Sequence, residues 1–451
     1  MNAIVNEPVV IIGAGWAGLA AAVNLTQQGY KVLVFESAKQ VGGRARQVKF
    51  NNLKVDNGQH LLIGAYTECL NLMKTVGIDS QRYLTRLPLL LTVIDKSNIK
   101  LNLSAPALPA PFHLLYALLT AKGLSFKERF SAIWFGLYLR KNNYTFKEDI
   151  SLSALLQKTR QPEILIRQLW EPLCLATMNT PIKNASANIF MRVFKDAFTN
   201  KTKDADLLLP TVDLSTLFPE AAVKFIKNNG GEVHLKSRVE KIEVINNIVT
   251  EIQVKNNNEY QSIKTSNIII ATAPQNIKKL LAGHSVLDKI TSNIEQYHYE
   301  PIVTVYLQYA ETTKLRQAMI GLSSTISQWV FDRGSICQQP GLMSVVISSH
   351  NEHNGDIADH MAMDDDTITQ TVHNEITKLF SEEPTLLNSF VIREKRATFA
   401  SEVNINDIRP KNTTPVPGLL IAGDYTDTGY PATLEGAVRS GLKASRALQR
   451  K

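Results

Sequence analysis

Cysteine is scarce in this chain: Cys69, Cys174 and Cys337 are the only three in 451 residues. They are widely spaced, odd in number and lack a Cys-x-x-Cys pair. That excludes a disulfide framework and a thiolate metal site, so reduced thiols, a cytoplasmic setting and no metal are expected. Long apolar runs are also missing. No segment reaches the ~18 to 20 apolar residues of a membrane-spanning helix, so any membrane contact is expected to be peripheral. Residues 9–23 come nearest, but glycines interrupt them, no basic stretch precedes them and no small-residue cleavage pattern follows, which reads against a signal peptide. Charge of one sign does not dominate either. The 49 basic and 41 acidic side chains leave a net +8, scattered apart from Arg393-Glu394-Lys395-Arg396, and no nucleic-acid motif accompanies them. A lysine-rich solvated surface accounts for the excess, which would also favour an anionic membrane face. Ordinary apolar and charged fractions exclude disorder, and the length allows two cores.

What is present begins with VVIIGAGWAGLAAAVNLTQQGYKVLVFE, residues 9–36. The pattern predicts a strand, a glycine turn, a helix and a second strand. Gly13 permits the tight turn, Gly15 lets the backbone approach a pyrophosphate beside Trp16, and Gly18 lets the helix pack close on the sheet. The helix N-terminus offers free N–H groups to phosphate. Glu36, 18 positions past Gly18, is placed to accept hydrogen bonds from ribose hydroxyls and to repel a 2′-phosphate.

Gly42-Gly43-Arg44 follows the acid directly. Two glycines let a loop pass close to a cofactor, and Arg44 can neutralise a pyrophosphate or a flavin edge. Near the other end, GLLIAGDYTDTGYPATLEGAVRSG predicts a buried strand, then Gly423-Asp424, then a helix opening at Thr433 and Leu434. Asp424 is placed to bond ribityl or phosphate-side hydroxyls. The helix N-terminus can face the flavin N1/O2 edge and favour the negative charge that develops on reduction. Together the two chain ends read as a flavoenzyme holding one FAD between them.

The intervening chain predicts a discontinuous α/β protein: a Rossmann-like FAD-binding domain of residues 1–90, 205–275 and 410–451, and an α+β substrate domain of residues 91–204 and 276–409. Residues 87–103 read as strand and 105–203 as helix. Residues 213–228 predict one helix, and 232–264 a β-meander turning at Asn246-Asn247. Val239, in SRVEKI, either offers backbone groups to an adenine or is an ordinary core valine.

The blocks GGRARQ, DNGQHLLIGAYTE, WEPLCLATMNTP, ASANIFMRVFKDAF, LLLPTVDLSTLFPEAA and GDYTDTGYPATLEGAVRSG make nearly the whole chain resemble the hydroxysqualene dehydroxylases. These are the squalene-associated, FAD-dependent branch of the amine oxidase and phytoene desaturase superfamily. Tyr425 departs from that group, which more often has Trp after Gly-Asp. The resemblance implies an amine-oxidase-like fold and reductive dehydroxylation of hydroxysqualene to squalene, the last of three steps from farnesyl diphosphate. A functional partnership with squalene-synthase-like enzymes and work at the inner face of the cytoplasmic membrane follow from it. Such chemistry needs a proton donor, an apolar tunnel and electron-rich walls for an allylic cation. His60 and Asp56 are the donor candidates, although His60 can equally be a histidine bonded within its own loop. Tyr425 and Tyr430 are the candidate π-faces, with core packing as their plain alternative. An oxidative carotenoid desaturase, a flavin amine oxidase and a non-catalytic flavin-bound escort are the competing readings. Finally, Phe112, Leu115, Tyr116 and Leu119 form a helical stripe that either lies in the core or touches lipid, with Lys122 at its end.

Overall fold

The computed structural model describes residues 7–95, 100–256, 259–349 and 360–448. Short, wholly apolar runs form its central sheet. Val9–Ile12, Val32–Phe35, Ile268–Ile270 and Leu419–Ile421 are buried along their full length, as strands covered on both faces must be. With Glu232–His234 they make a five-stranded parallel sheet in the order 232–234, 32–35, 9–12, 268–270, 419–421. Ile11 pairs with Val34 on one side and Ile269 on the other, and Ile269 pairs with Leu420. Three remote stretches of sequence therefore share the sheet whose central strand carries the glycine turn.

The helix Trp16–Gln27 leaves that turn, and the C-terminal helix Leu434–Leu448 packs along it. Contact is close because Gly441 lacks a side chain: a Cβ there would sit 2.1 Å from the Ala17 carbonyl oxygen. The helix does not stop at Gly441 but runs to Leu448. The meander is Ser237–Ile245, Ile248–Asn256 and Glu259–Lys264, antiparallel throughout, with its first turn at Asn246 and Asn247, both at positive φ. The single helix expected over 213–228 is two, Leu214–Leu217 and Pro219–Asn228. Phe218 breaks them at φ −146°, since a proline disfavours helical backbone in the residue before it.

A seven-stranded mixed sheet forms the second layer, ordered Asn388–Phe399, Tyr299–Gln308, Leu342–Ile347, Trp329–Asp332, Met319–Ser323, Leu90–Asp95 and Lys100–Ser104. Its neighbours are antiparallel except where Gly321 pairs with Val93 in parallel. Residues 112–198 supply helices against it, including Phe112–Thr120, Phe126–Lys141 and Ala187–Phe198. One apolar core runs from Ile12 and Phe35 of the parallel sheet to Phe135, Trp170 and Phe194 of the helical layer. The large cavity of the molecule lies along this junction. Among the described residues no helix is long and apolar enough to cross a membrane.

Candidate active site

The cavity encloses about 1180 Å³ and is bounded by the glycine turn, the 42–46 loop, the 57–60 loop, the helix Ala187–Phe198, the mixed sheet and the Gly423 loop. Its polar half is built by the motifs. Gly13, Gly15 and Trp16 line it where the chain leaves the carboxyl end of the central strand. A Cβ on Gly15 would find only the Gly43 Cα, 3.9 Å away, so the two glycine backbones face each other with no side chain between them. Gly18 lies behind the wall: its absent Cβ would fall 2.0 Å from the Gly13 carbonyl oxygen, which is the close packing the motif needs. Trp16 is buried, donating from Nε1 to the Ala45 carbonyl.

Glu36 lines the cavity, accepting from the Ala14 N–H and the Ala38 N–H, each at 2.8 Å. Its carboxylate thus borders the glycine turn at the end of the second strand. Gly42 and Gly43 lie across from the turn, where Gly42 donates to the Ala14 carbonyl at 2.9 Å. Val239, Thr433 and Leu434 also reach the cavity. Thr433 begins the C-terminal helix by accepting the Gly436 N–H at its hydroxyl.

The two chain ends meet in one ion pair. Arg44 Nη2 lies 2.6 Å from both carboxylate oxygens of Asp424, and Nη1 donates to the Ala397 carbonyl at 2.6 Å. Over a third of the Arg44 side chain is open, so the pair adds little stability; it fixes position. Gly423 stands beside it with the Tyr425 ring packed where a Cβ would be.

Sequence reasoning missed what holds this loop. Arg409 is buried and donates to the backbone carbonyls of Asp424, Tyr425 and Tyr430 and to the Thr428 hydroxyl. A buried guanidinium bonded to this many acceptors rigidifies the loop. The sequence carried no signal for it, because an arginine beside Pro410 in a loop reads as solvated. Glu435 was missed as well; it accepts from the Glu68 and Cys69 N–H groups and pairs with Arg439.

The candidate chemical groups separate. His60 lines the cavity, and its Nδ1 lies 2.6 Å from the Gly58 carbonyl oxygen. A carbonyl only accepts, so Nδ1 carries the proton and Nε2 is left as an acceptor. Burial lowers its pKa from 6.5, which keeps the ring neutral near pH 7. Asp56 does not border the cavity. It accepts the Leu214 N–H at 2.7 Å and faces buried Arg333 at 4.0 Å; burial pushes it up to about 7, with Arg333 opposing. The donor role expected for Asp56 is therefore corrected to a helix-start anchor.

Tyr430 is corrected too. Its hydroxyl donates to Asp196, and the Arg439 guanidinium sits 4.2 Å over its ring, so its face is already covered. Tyr425 is among the cavity's lining residues, its ring packed against Gly423 and its hydroxyl buried without a hydrogen-bond partner.

The other half of the cavity is hydrocarbon. Leu91, Phe190, Phe194, Met319, Trp329 and Phe331 form its walls. Acidic side chains on the whole lining, among the described residues, are Glu36, Glu394 and Asp424.

Comparison with known proteins agrees with this arrangement. The family profile of flavin containing amine oxidoreductases matches residues 16–449. A hydroxysqualene dehydroxylase from Zymomonas mobilis subsp. mobilis is 25% identical over 449 residues, covering 96% of this chain and 97% of its own. A 15-cis-phytoene desaturase from Glycine max is 24% identical, covering 98% of this chain and 79% of its own. Among solved structures, an oxidoreductase from Methanosarcina mazei superposes with a TM-score of 0.72 at 15% identity, covering 98% of this chain and 99% of its own.

Proposed function

We propose, for a chain that belongs to the flavin containing amine oxidoreductase family, that it uses FAD to convert hydroxysqualene to squalene by reductive dehydroxylation. As a member of that family the protein is a flavin-dependent oxidoreductase. The closely apposed, side-chain-free backbones at Gly15 and Gly43, the Glu36 carboxylate and the Gly423–Asp424 loop support a dinucleotide form of the flavin, since they line one cavity with bare backbone at a helix N-terminus and an acid at the end of the second strand.

The observation that carries the substrate is the hydrocarbon half of the cavity. Asp424 is neutralised by Arg44, Glu394 lies near that same guanidinium, and Glu36 is held by the glycine turn. Among the described residues no acid is left in the apolar wing to receive an ammonium group, which favours a polyisoprenoid over an amine. Each buried methylene contributes about 0.8 kcal/mol to binding.

Held by the Gly13–Gly15 turn, Glu36 and the Gly423–Asp424 loop, reduced FAD would supply the two-electron hydride chemistry by which the hydroxyl group, leaving with a proton as water, is replaced by hydrogen. The protein's own tasks are to deliver that proton, exclude bulk water and surround an allylic cation with π-faces such as Phe190, Phe194 and Trp329. His60 is the donor consistent with the cavity wall. It must first take up a proton at Nε2, so turnover should rise as pH falls towards its lowered pKa. A squalene-synthase-like enzyme would supply the substrate, at the inner face of the cytoplasmic membrane.

The same wing would accept a polyene lacking a hydroxyl, and the likeness to the Glycine max desaturase keeps oxidative desaturation as the second reading. Anaerobic incubation of the photoreduced enzyme with hydroxysqualene decides between them. Squalene, one per flavin oxidised, is expected. Bleaching of the oxidised enzyme by a phytoene-type polyene, with no squalene in the first experiment, would overturn the proposal. Retention of flavin with neither reaction would point to a non-catalytic escort.

A further inference from the structure

The described surface carries a concentration of exposed aromatic and aliphatic side chains on two adjoining helices. On Phe126–Lys141, Phe126, Phe130 and Trp134 are 76%, 62% and 64% exposed, with Leu137 beside them. Their spacing of four, four and three residues puts them on one stripe. The opposite face, Ala132, Phe135 and Leu139, is buried. On Phe112–Thr120 the residues Phe112, Leu115, Tyr116 and Leu119 are also exposed, while His113 and Leu118 turn inward. Arg129 joins the two helices by donating to the carbonyls of Leu119 and Leu124. A soluble surface rarely leaves this many large apolar groups together without a partner.

Charge identifies the partner. Between residues 105 and 147 lie six basic side chains, Lys122, Lys127, Arg129, Arg140, Lys141 and Lys147, against one acid, Glu128. Five of the chain's net eight positive charges thus fall in about a tenth of its length. Rings and leucines flanked by solvated cations match the boundary of an anionic bilayer, where apolar groups enter the acyl region and ammonium groups stay with the headgroups.

We infer that these two helices together form the surface by which the protein docks on an anionic lipid bilayer, with helix 126–141 as its larger part. The surface adjoins the cavity wall. Inward-facing Phe135 meets Trp170 edge-on at 4.9 Å, and Trp170 lies 6.4 Å from Phe194, which lines the cavity. The Leu108 carbonyl, ahead of the first helix, accepts from Thr202, three residues before Ala205 of the lining. A bilayer docked here would lie against the packed layer that walls the cavity, on the side from which a lipid-soluble substrate would come. That last step rests on the proposed substrate; the docking surface does not.

Trp134 reports on the contact directly, because Trp16, Trp170 and Trp329 are buried. The full-length, flavin-loaded protein is mixed, without substrate, with vesicles of phosphatidylcholine alone or of equimolar phosphatidylcholine and phosphatidylglycerol. Co-sedimentation with the anionic vesicles, weakened by salt, is expected, with a blue shift of Trp134 emission and quenching by brominated acyl chains. The variant Phe126→Ser/Phe130→Ser/Leu137→Ser should keep its flavin and bind these vesicles about tenfold or more weakly. Lys127→Ser/Lys141→Ser should lose the preference for phosphatidylglycerol while leaving the apolar stripe intact. Wild-type protein that stays in the supernatant with unshifted emission overturns the inference. So does a vesicle-independent dimer that shields Trp134 and is dissolved by the triple serine variant, which would assign the surface to a second copy of the chain.

Discussion

Gly15 makes the simplest test at the scale of one residue. Gly15 lines the cavity with bare backbone, and a Cβ there would meet only the Gly43 Cα, 3.9 Å away, so Gly15→Val should fold with a near-normal melting temperature and purify without flavin absorbance. A yellow Gly15→Val protein would remove the glycine turn from the site. Two buried titrating groups, His60 on the cavity wall and Asp56 behind it, give opposite pH effects on stability. His60 has its pKa lowered from 6.5, so below pH 6.5 the unfolded chain binds a proton that the fold resists. Its contribution is complete above pH 6.5 and is lost as pH falls through the folded value. Asp56, raised from 3.8 to about 7, keeps its proton in the fold while the unfolded chain loses it, so stability declines between pH 3.8 and 7. Asp56→Asn retains an oxygen for the Leu214 N–H and should flatten that decline, a change on the order of 1 to 3 kcal/mol at pH 7. It should also leave flavin content intact. Melting temperatures of His60→Ala and Asp56→Asn from pH 4 to 8 read both slopes. His60→Ala should further lower dehydroxylation by ~10² to 10⁴-fold, and unchanged turnover would return His60 to a loop-holding role.

At the scale of the element, Gly441 sets propensity against packing. Alanine in a helix interior is favoured over glycine by about 1 kcal/mol, yet a Cβ here would lie 2.1 Å from the Ala17 carbonyl oxygen. Gly441→Ala should therefore destabilise by roughly 1 to 3 kcal/mol, measured by denaturant unfolding; a stabilised variant would mean that the two helices can separate. The same contrast shows what could be read in advance. The glycine turn, Glu36, the Gly42-Gly43-Arg44 loop and Gly423-Asp424 were legible because each demands special residues at fixed spacing within a few positions. The meander was legible from its asparagine turn and β-branched runs. Asp56 and Tyr430 were misjudged because neighbours far along the chain, Leu214 with Arg333 and Asp196 with Arg439, claim them. The exposed stripe of helix 126–141 was not legible, because the helix is apolar on both faces and no period separates the buried Phe135 from the exposed Phe130 and Trp134.

At the scale of the whole molecule, one cavity draws walls from both sheets and from segments near each chain end. A bound flavin that engages only this assembled form stabilises it by mass action, about 4 kcal/mol at a thousandfold excess over Kd. The melting temperature of flavin-loaded protein should accordingly exceed that of the stripped protein by several degrees, and Asp424→Ala should lose most of the increment. Coincident melts of loaded and stripped wild type would show that the flavin does not bridge the ends. The pairing of Arg44 with Asp424, 380 positions later, also has a meaning in time. A ribosome finishes the strand Val9–Ile12 and the helix Trp16–Gln27 long before it makes the edge strand Leu419–Ile421 and the helix that covers Ala17. Until then the growing chain exposes an open sheet edge and a bare apolar helix face, both prone to misassociation. Holding the cofactor is therefore expected to wait for those late residues: a polypeptide cut short before Leu419 has every residue of the glycine turn but lacks the Asp424 partner of Arg44, and it should purify without flavin.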